Sequence, residues 1–316
     1  MKQSYTASRA GLRAQYREAR RLWTFHSKAA DTVVSLRVAN AEACARDLNE
    51  AFGFNLTKRK VLDVGPGQFL VQSRYFALRN EVVAIDMEVI TEKLTLRGCL
   101  EMARCNGLRR FMKTLVRKLA GIDRAYERAL RRKLGVSLLP AIALHRGDAC
   151  HMGFSDESFD MVYSRSLLHH VATPAEALSE IARVLKPGGV AYVDLHLYSS
   201  VNGSLDSQIS SAGGVEFCWP HLRPGVRVVE GAFLNRLRLS EWRHLFAGLW
   251  PGSVLTTVET RDPAVRQQAD RLLAQGKLAG YSKEELLTTT VVVMWQKEST
   301  RGTPALTEKA SASEPL

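Results

Sequence analysis

A short apolar strand that ends in a carboxylate and a glycine turn constrains the fold of this chain more than any other feature. The run is Lys60-Val61-Leu62-Asp63-Val64-Gly65-Pro66-Gly67, and the next apolar run, 82–85, is followed directly by Asp86. Glycine lets the backbone adopt positive φ and approach a ligand closely, and a carboxylate that ends a second strand can accept hydrogen bonds from both ribose hydroxyls. A tight strand-to-helix turn can also use Gly-x-Gly for structural reasons alone, so the pairing with Asp86 is what predicts an adenosyl cofactor.

Further strands and turns follow in the order of a Rossmann-like unit. The chain continues with 141–144 before Gly147-Asp148-Ala149, then 158–163, then a turn at 185–189 before the strand 190–193. Over residues 57–195 this series resembles the class I S-adenosylmethionine-dependent methyltransferases, in particular their small-molecule, type-11-like branch. The resemblance implies an α/β fold: a Rossmann-like, doubly wound, seven-stranded and mostly parallel sheet with an antiparallel C-terminal hairpin.

The same comparison divides the chain into three parts. Residues 1–56 are predicted to be a basic helical segment, because apolar residues recur at helical spacing from Leu12 onward. Residues 57–297 are predicted to form the methyltransferase domain, with a helical insertion at about 95–138 and a substrate loop at about 198–235. Residues 298–316 are rich in Ser, Thr, Ala, Glu and Pro, which predicts a disordered tail.

The resemblance implies S-adenosyl-L-methionine as the cofactor and assigns it a set of binding residues: Asp63, Gly65, Gly67, Asp86, Met87, Asp148, Ala149 and Ser164. The glycine turn would pass the methionine part, and the second-strand carboxylate would bind the ribose. The pair after the third strand would meet the adenine edge, where a carboxylate accepts from the exocyclic amine and a backbone N–H donates to a ring nitrogen. Met87 would pack on the adenine face, and Ser164 would line the cleft beside the reactive methyl group.

One position departs from the family pattern. The family often has a third glycine two residues after Gly67, where this chain has Phe69. The spacing Gly65-x-Gly67-x-x-Leu70 also lacks the final small residue expected of a nicotinamide or flavin enzyme. Methyl transfer is therefore favoured over hydride transfer.

Candidate acceptor-side residues follow the fourth and fifth strands. A sulfonium methyl group is already activated, so transfer mainly needs alignment, and a base helps only an acceptor such as a hydroxyl. His169 and His170 are the candidate bases, with His170 preferred, although either could instead pack at the start of the next helix. The candidate substrate-binding residues are His196, Tyr198, Trp219 and His221. In the alternative interpretation, Trp219 only anchors the long loop to the core.

The positive charge of the chain is concentrated in two segments. The formal net charge is +12, and residues 91–133 hold 13 Lys and Arg against four Asp and Glu, while residues 1–60 hold 12 against five. Such segments can bind RNA or an anionic membrane surface, attract an acidic substrate, or form solvated helix faces. RNA is not favoured, because 164–168 lacks the Asn/Asp-Pro-Pro-aromatic signature of base-amine methyltransferases.

The five cysteines are scattered without a Cys-x-x-Cys pair, so neither a disulfide framework nor a zinc site is indicated. No apolar run reaches the ~20 residues that span a bilayer, and the N-terminus lacks a signal-peptide pattern, so a cytoplasmic protein is expected. The predicted function is methyl transfer to oxygen or nitrogen of a small metabolite, with a glycan or other biosynthetic intermediate as the candidate class. The alternatives are an RNA methyltransferase that uses the basic helices and a non-catalytic methyltransferase-like partner subunit.

Overall fold

A computed structural model describes residues 29–92, 94–201, 203, 218–226, 228 and 233–299. Its centre is one seven-stranded sheet in the order β3-β2-β1-β4-β5-β7-β6. The strands are β1 Lys60–Val64, β2 Glu81–Asp86, β3 Ala143–Arg146, β4 Phe159–Arg165, β5 Leu185–Leu195, β6 Val254–Glu259 and β7 Thr288–Gln296.

The pairing directions confirm the predicted fold class. Strands β1 to β5 pair in parallel, and β7 runs antiparallel to both of its neighbours, β5 and β6. The predicted turn at 185–189 is wrong in one respect, because β5 already begins at Leu185. Backbone bonds with the end of β7 extend the strand there: Gly188 N donates to Lys297 O at 2.9 Å, and Lys297 N donates to Gly189 O at 2.9 Å.

Helices cover both faces of the sheet. They are α1 Ala30–Phe52, α2 Val71–Phe76, α3 Leu96–Asn106, α4 Leu108–Leu119, α5 Ile122–Leu134, α6 Pro174–Val184, α7 Leu239–Leu249, α8 Pro263–Ala274 and α9 Lys283–Leu287. The predicted leading helix is observed from Ala30, while its earlier part lies outside the described residues. The predicted tail also lies outside them from residue 300 onward.

The core lies on the two sides of β1, as expected for a central parallel strand. Val61 packs in a cluster that includes Ala41 and Leu48 of α1. Leu62 packs on the opposite side in a cluster with Leu178 of α6 and Phe246 of α7. Because both faces are covered, ligands can reach β1 only at its ends.

Helices α3, α4 and α5 connect β2 to β3, in the segment where an insertion at about 95–138 is predicted. Thr95 caps the start of helix α3, where its hydroxyl accepts from Gly98 N at 3.1 Å. Helix α5 packs against α1 through Tyr126 and Leu130, which share a buried cluster with Val34. The N-terminal helix and the insertion thus meet on one side of the sheet.

Candidate cofactor cleft and acceptor site

The candidate site lies at the carboxyl edge of the parallel strands. Val64 of β1 is in register with Ile85 of β2 on one side and with Ser164 of β4 on the other. Arg165 of β4 pairs with Asp194 of β5. The residues that follow these strands therefore share one edge, which is where open α/β sheets bind ligands.

The glycine turn after β1 is open on one side and closely backed on the other. Gly65 has φ 78° and Gly67 has φ 70°, a region that L side chains rarely adopt. A Cβ at Gly65 would lie 3.1 Å from the Leu167 side chain, so the loop after β4 closes that side. A Cβ at Gly67 would meet only the Arg37 guanidinium, at 3.7 Å.

Arg37, which the sequence reasoning missed, brings a positive charge from α1 to this turn. Its position between the buried Val34 and Val38 was the available signal, since an arginine at the edge of an apolar helix face extends over the neighbouring surface. Burial lowers the pKa of Arg37, and the Asp63 carboxylate opposes that shift. Arg37 forms no ion pair within the described part of the chain, so its charge is available to a ligand.

Asp63 supports the turn from beneath. Its side chain is buried, and Oδ2 accepts a hydrogen bond from Ser73 Oγ at 2.5 Å. Burial raises the pKa of Asp63 to about 7, with a further increase from the Asp86 carboxylate and an opposing effect of the Ser73 bond. Asp63 therefore acts on a ligand through its charge and through the turn rather than by direct exposure.

Asp86 is the half-buried carboxylate at the end of β2. Its Oδ1 accepts from Glu88 N at 2.8 Å, which leaves Oδ2 for a ligand among the described contacts. Burial raises the pKa of Asp86 to about 6, and the nearby Arg110 opposes the shift. Met87 follows with an exposed side chain, as a residue that packs on a ligand ring requires.

The loop after β3 lies beside Asp86. Gly147 N donates to Asp86 O at 2.9 Å, so the two segments are joined by backbone. Asp148 is exposed and its Oδ1 accepts from Cys150 N at 2.9 Å, while Ala149 is buried. The predicted adenine contacts thus sit next to the predicted ribose contact.

Ser164 does not line the cleft as predicted. It is fully buried, and its hydroxyl donates to Val64 O at 3.1 Å. The side chain of a residue inside a central strand points into one of the covered faces, and here it joins β4 to β1. Ser164 is therefore a structural residue of the sheet.

Phe69, at the third-glycine position, fills a specific place. Its ring stacks on Tyr126 of α5 with centroids 3.8 Å apart and an interplanar angle of 3°. The Arg117 guanidinium carbon of α4 lies 5.1 Å from the same ring centroid. The departure from glycine thus ties the cofactor turn to the helices between β2 and β3.

His169 is a core residue and does not fit the role of a base that reaches substrate. It is buried, and its Nδ1 accepts from His196 N at 3.3 Å. Burial lowers the pKa of His169 to about 2, with smaller contributions from His170 and His196. The packing alternative is the better description of this histidine.

His170 and His196 are half-buried and lie at the acceptor end of the cleft. His170 Nδ1 donates to Phe233 O at 2.8 Å, and burial lowers the pKa of its ring. His196 Nδ1 donates to Thr289 O at 2.9 Å, so in the neutral ring Nε2 is the acceptor, and Ser166 Oγ lies 3.1 Å from it. Both rings are thereby oriented by backbone carbonyls, as a positioned proton acceptor requires.

A buried ion pair stands beside these histidines. Arg165 Nη1 lies 3.3 Å from Asp194 Oδ2, and Asp194 Oδ1 is buried without a hydrogen-bond partner. Burial raises the pKa of Asp194, and Arg165 and His196 oppose the shift. An unsatisfied carboxylate oxygen of this kind can accept a hydrogen bond from a ligand or water at the ends of β4 and β5.

Of the remaining predicted substrate contacts, two are close together and one is misplaced. His221 Nε2 donates to Tyr198 O at 2.6 Å, and the two rings pack edge to face. Trp219 is fully buried in a cluster with Leu272 and Leu286, so the prediction that it offers an apolar plate to substrate is wrong. It anchors the loop to the core, and most of the predicted substrate loop lies outside the described residues.

The described residues contain neither a metal-binding cluster nor a membrane-spanning helix. No group of three or more His, Cys, Asp or Glu lies in a metal-binding arrangement within the described ranges. No described helix combines the length and apolar character needed to cross a membrane.

Part of the chain is similar to known methyltransferases. Residues 98–193 match the family model described as "Methyltransferase domain". Methyltransferase GfsG of Streptomyces halstedii is 30% identical over 108 residues, which are 32% of this chain and 37% of that protein. The phthiotriol/phenolphthiotriol dimycocerosates methyltransferase of Mycobacterium leprae (strain TN) is 43% identical over 58 residues, 18% of this chain and 22% of that protein.

The chain thus spans between about a fifth and somewhat over a third of the length of these relatives. Among solved structures, phosphoethanolamine N-methyltransferase 2 of Haemonchus contortus, in complex with S-adenosyl-L-methionine, aligns over 81% of this chain and 53% of that chain. The identity is 15% and the TM-score is 0.43.

Proposed function

We propose that this chain, which matches the methyltransferase-domain family over residues 98–193, is a class I, S-adenosylmethionine-dependent methyltransferase that transfers the methyl group to oxygen or nitrogen of a small metabolite. The proposal rests on one observation: the open glycine turn lies between the Asp86 carboxylate and the Arg37 guanidinium. A cofactor that joins a ribose and an amino acid through one sulfur has groups that match both residues.

In this proposal, different residues of the cleft bind different parts of the cofactor. Asp86 accepts hydrogen bonds from the ribose hydroxyls, and Asp148 with the Ala149 backbone meets the adenine edge. Arg37 pairs with the carboxylate of the methionine part above Gly67, where a guanidinium can bind both oxygens. The charge of Asp63 balances the cationic groups of the ligand beneath the turn.

S-Adenosylmethionine supplies an activated methyl group when bound, so the protein has to align the acceptor and exclude water. The cofactor would take up the electron pair of its sulfur–methyl bond as the acceptor's lone pair bonds to the methyl carbon, so residues of the chain would have to hold the acceptor in line and receive its proton. The proton of a hydroxyl or amine acceptor passes to His196 Nε2, with Ser166 in contact. His170, held by the Phe233 carbonyl, is the second candidate.

Two observations favour a small acceptor over RNA. Three of the five basic side chains of α4 are paired within the chain, since Arg110 contacts Glu88, and Arg117 and Lys118 contact Asp123. The relatives named above are methyltransferases whose names, where they state an acceptor, refer to small molecules. Because Trp219 is buried, no residue that the structure describes at the site favours a sugar over other metabolites, and the proposal includes no such preference.

The test is titration of S-adenosylhomocysteine into the full chain by calorimetry, with and without RNA, followed by incubation with methyl-labelled S-adenosylmethionine and a small-molecule extract. Binding that is indifferent to RNA, and label in the small-molecule fraction, are the expected results. Binding only with RNA present, or label in RNA, would replace the proposal with an RNA methyltransferase. Absence of binding in both cases would favour the non-catalytic subunit. The His196→Asn variant should keep the affinity for S-adenosylhomocysteine and lose the methyl transfer.

A further inference from the structure

The outer face of α4 is apolar and open to solvent. Four large side chains are exposed along it: Leu108 by 69%, Met112 by 46%, Val116 by 57% and Leu119 by 67%. At about 100° per residue these positions fall within a sector of about 80°, so they form one continuous strip. No residue of α4 is buried, so this helix takes no part in the core of the protein.

The charge of α4 complements that strip. The helix holds five Lys and Arg and no Asp or Glu. Arg109 and Lys113 are exposed and follow the strip within the next ~60° of the helix surface. A helix with an apolar strip, a basic flank and no acidic residue is typical of segments that lie in the interface of an anionic bilayer.

The neighbouring helix α3 also exposes apolar and basic side chains, together with one acidic residue, Glu101. Leu96 and Leu100 are exposed one turn apart, and Arg97 and Arg104 are exposed beside them. Apolar and basic side chains therefore extend over two consecutive helices, which is more than the isolated exposed leucines of an ordinary surface.

The inner face of α4 is fixed to the cofactor cleft. Arg117 Nη2 donates to Gln68 Oε1 at 3.4 Å in the glycine turn, and Lys118 Nζ donates to Glu92 O at 3.0 Å. Arg110 forms an ion pair with Glu88, two residues after Asp86. A surface that receives the outer face of α4 would therefore lie close to the cleft.

We propose that α4, with α3, docks the protein on an anionic lipid membrane surface, with Leu108, Met112, Val116 and Leu119 in the interface and Arg109 and Lys113 on the headgroups. The chemistry distinguishes lipid from RNA, because the exposed apolar residues of the two helices are aliphatic, whereas single-stranded RNA binding relies on aromatic stacking. Burial of aliphatic side chains together with attraction of lysine and arginine to anionic lipid is the combination that such a surface supplies.

The experiment is co-sedimentation of the full chain with phosphatidylcholine vesicles, with and without phosphatidylglycerol. The wild type should bind the anionic vesicles, bind the neutral ones weakly and dissociate as salt is raised. Met112→Ser with Val116→Ser should lower the partition coefficient on anionic vesicles by ~10-fold or more. Arg109→Glu with Lys113→Glu should lower it by a similar factor on anionic vesicles and change little on neutral ones.

The matched control is Val258→Ser, because Val258 is also exposed but lies on β6, at the opposite edge of the sheet. This variant should bind vesicles as the wild type does, and far-ultraviolet circular dichroism of all variants should be unchanged. Equal binding by the wild type and both double variants would overturn the proposal, as would failure of the wild type to bind anionic vesicles. If the double variants lose a dimer that the wild type forms in light scattering, the strip is instead assigned to a second copy of the chain. If they lose RNA binding while no protein binds vesicles, it is assigned to RNA. None of these readouts requires cofactor or transfer.

Discussion

The pKa of Asp86 predicts how cofactor affinity depends on pH. A carboxylate must be ionised to accept hydrogen bonds from both ribose hydroxyls, and burial raises the pKa of Asp86 to about 6. At pH 8 nearly all of the unliganded protein has this group ionised. At pH 5 about one molecule in ten does, so the affinity for S-adenosylhomocysteine should be ~10-fold weaker, or about 1.4 kcal/mol, from this group alone.

The Asp86→Asn variant isolates that contribution. It should bind ~10- to 150-fold more weakly at pH 8, because a charge-assisted hydrogen bond contributes roughly 1.5–3 kcal/mol. Its affinity should then depend less on pH than that of the wild type, with the remaining dependence centred near 7, where the pKa of Asp63 lies. The difference between the two proteins should narrow toward pH 5, where the wild-type carboxyl is mostly protonated.

The assay is calorimetric titration across pH 5 to 8 in pairs of buffers with different ionisation enthalpies. The number of protons released on binding is then measured together with the affinity. Near pH 6 the wild type should release about half a proton more on binding than Asp86→Asn does, and close to one more at pH 5. The control is Glu50→Gln, an exposed carboxylate near the other end of α1, which should follow the wild-type profile. Parallel profiles for wild type and Asp86→Asn would refute the assignment of Asp86 to the ribose.

Three further substitutions test the cleft and the acceptor end. The pKa of Asp63 is raised to about 7 in the folded state, because burial disfavours the ionised carboxylate. The stability that depends on this group is therefore highest below about pH 3.8, where the carboxyl is protonated in both states, and it is lost as the pH rises through 7. Asp63→Asn should therefore raise the unfolding free energy of the unliganded protein at pH 8 by ~2–4 kcal/mol and by less at pH 4.5, and equal gains in denaturant titrations would contradict the shift. Arg37→Met should weaken the binding of S-adenosylhomocysteine by ~10-fold or more, while the affinity for adenosine stays constant. An equal loss of affinity for both ligands would refute the pairing of Arg37 with the ligand carboxylate. His196→Asn should lower the transfer rate ~100-fold or more without changing cofactor affinity, and an unchanged rate would direct the search for a base to His170.

Local patterns were sufficient for the sheet and for the cofactor turn. The carboxylates Asp63 and Asp86 lie at the ends of adjacent strands because each follows a continuous apolar run, and strand order then brings the runs together. The seven strands and the antiparallel β7 agree with what the resemblance to the class I methyltransferases implied. The mostly parallel arrangement depends on neighbours in sequence and on the rules of parallel crossover, which a single chain displays.

Side-chain direction and long-range packing were not readable in the same way. Ser164 follows the expected strand, but its hydroxyl points to the Val64 carbonyl rather than to the cleft. Trp219 is a residue type that often binds ligands, but here it is covered by Leu272 and Leu286, which lie more than 50 residues later in the chain. Arg37 reaches the glycine turn only because α1 packs over β1, a long-range contact that helical periodicity does not display.

Helix α4 explains why the departure at Phe69 and the basic helices are one feature. A glycine at position 69 would let a helix approach the strand closely, whereas Phe69 holds Tyr126 on its face and has the Arg117 guanidinium over its ring. Arg117 in turn contacts Gln68 of the turn and Asp123 of α5, so the turn, α4 and α5 are connected through one side chain. A surface that binds the outer face of α4 can therefore affect the cleft through Arg117, and Arg117→Met should alter cofactor affinity while leaving the exposed strip intact.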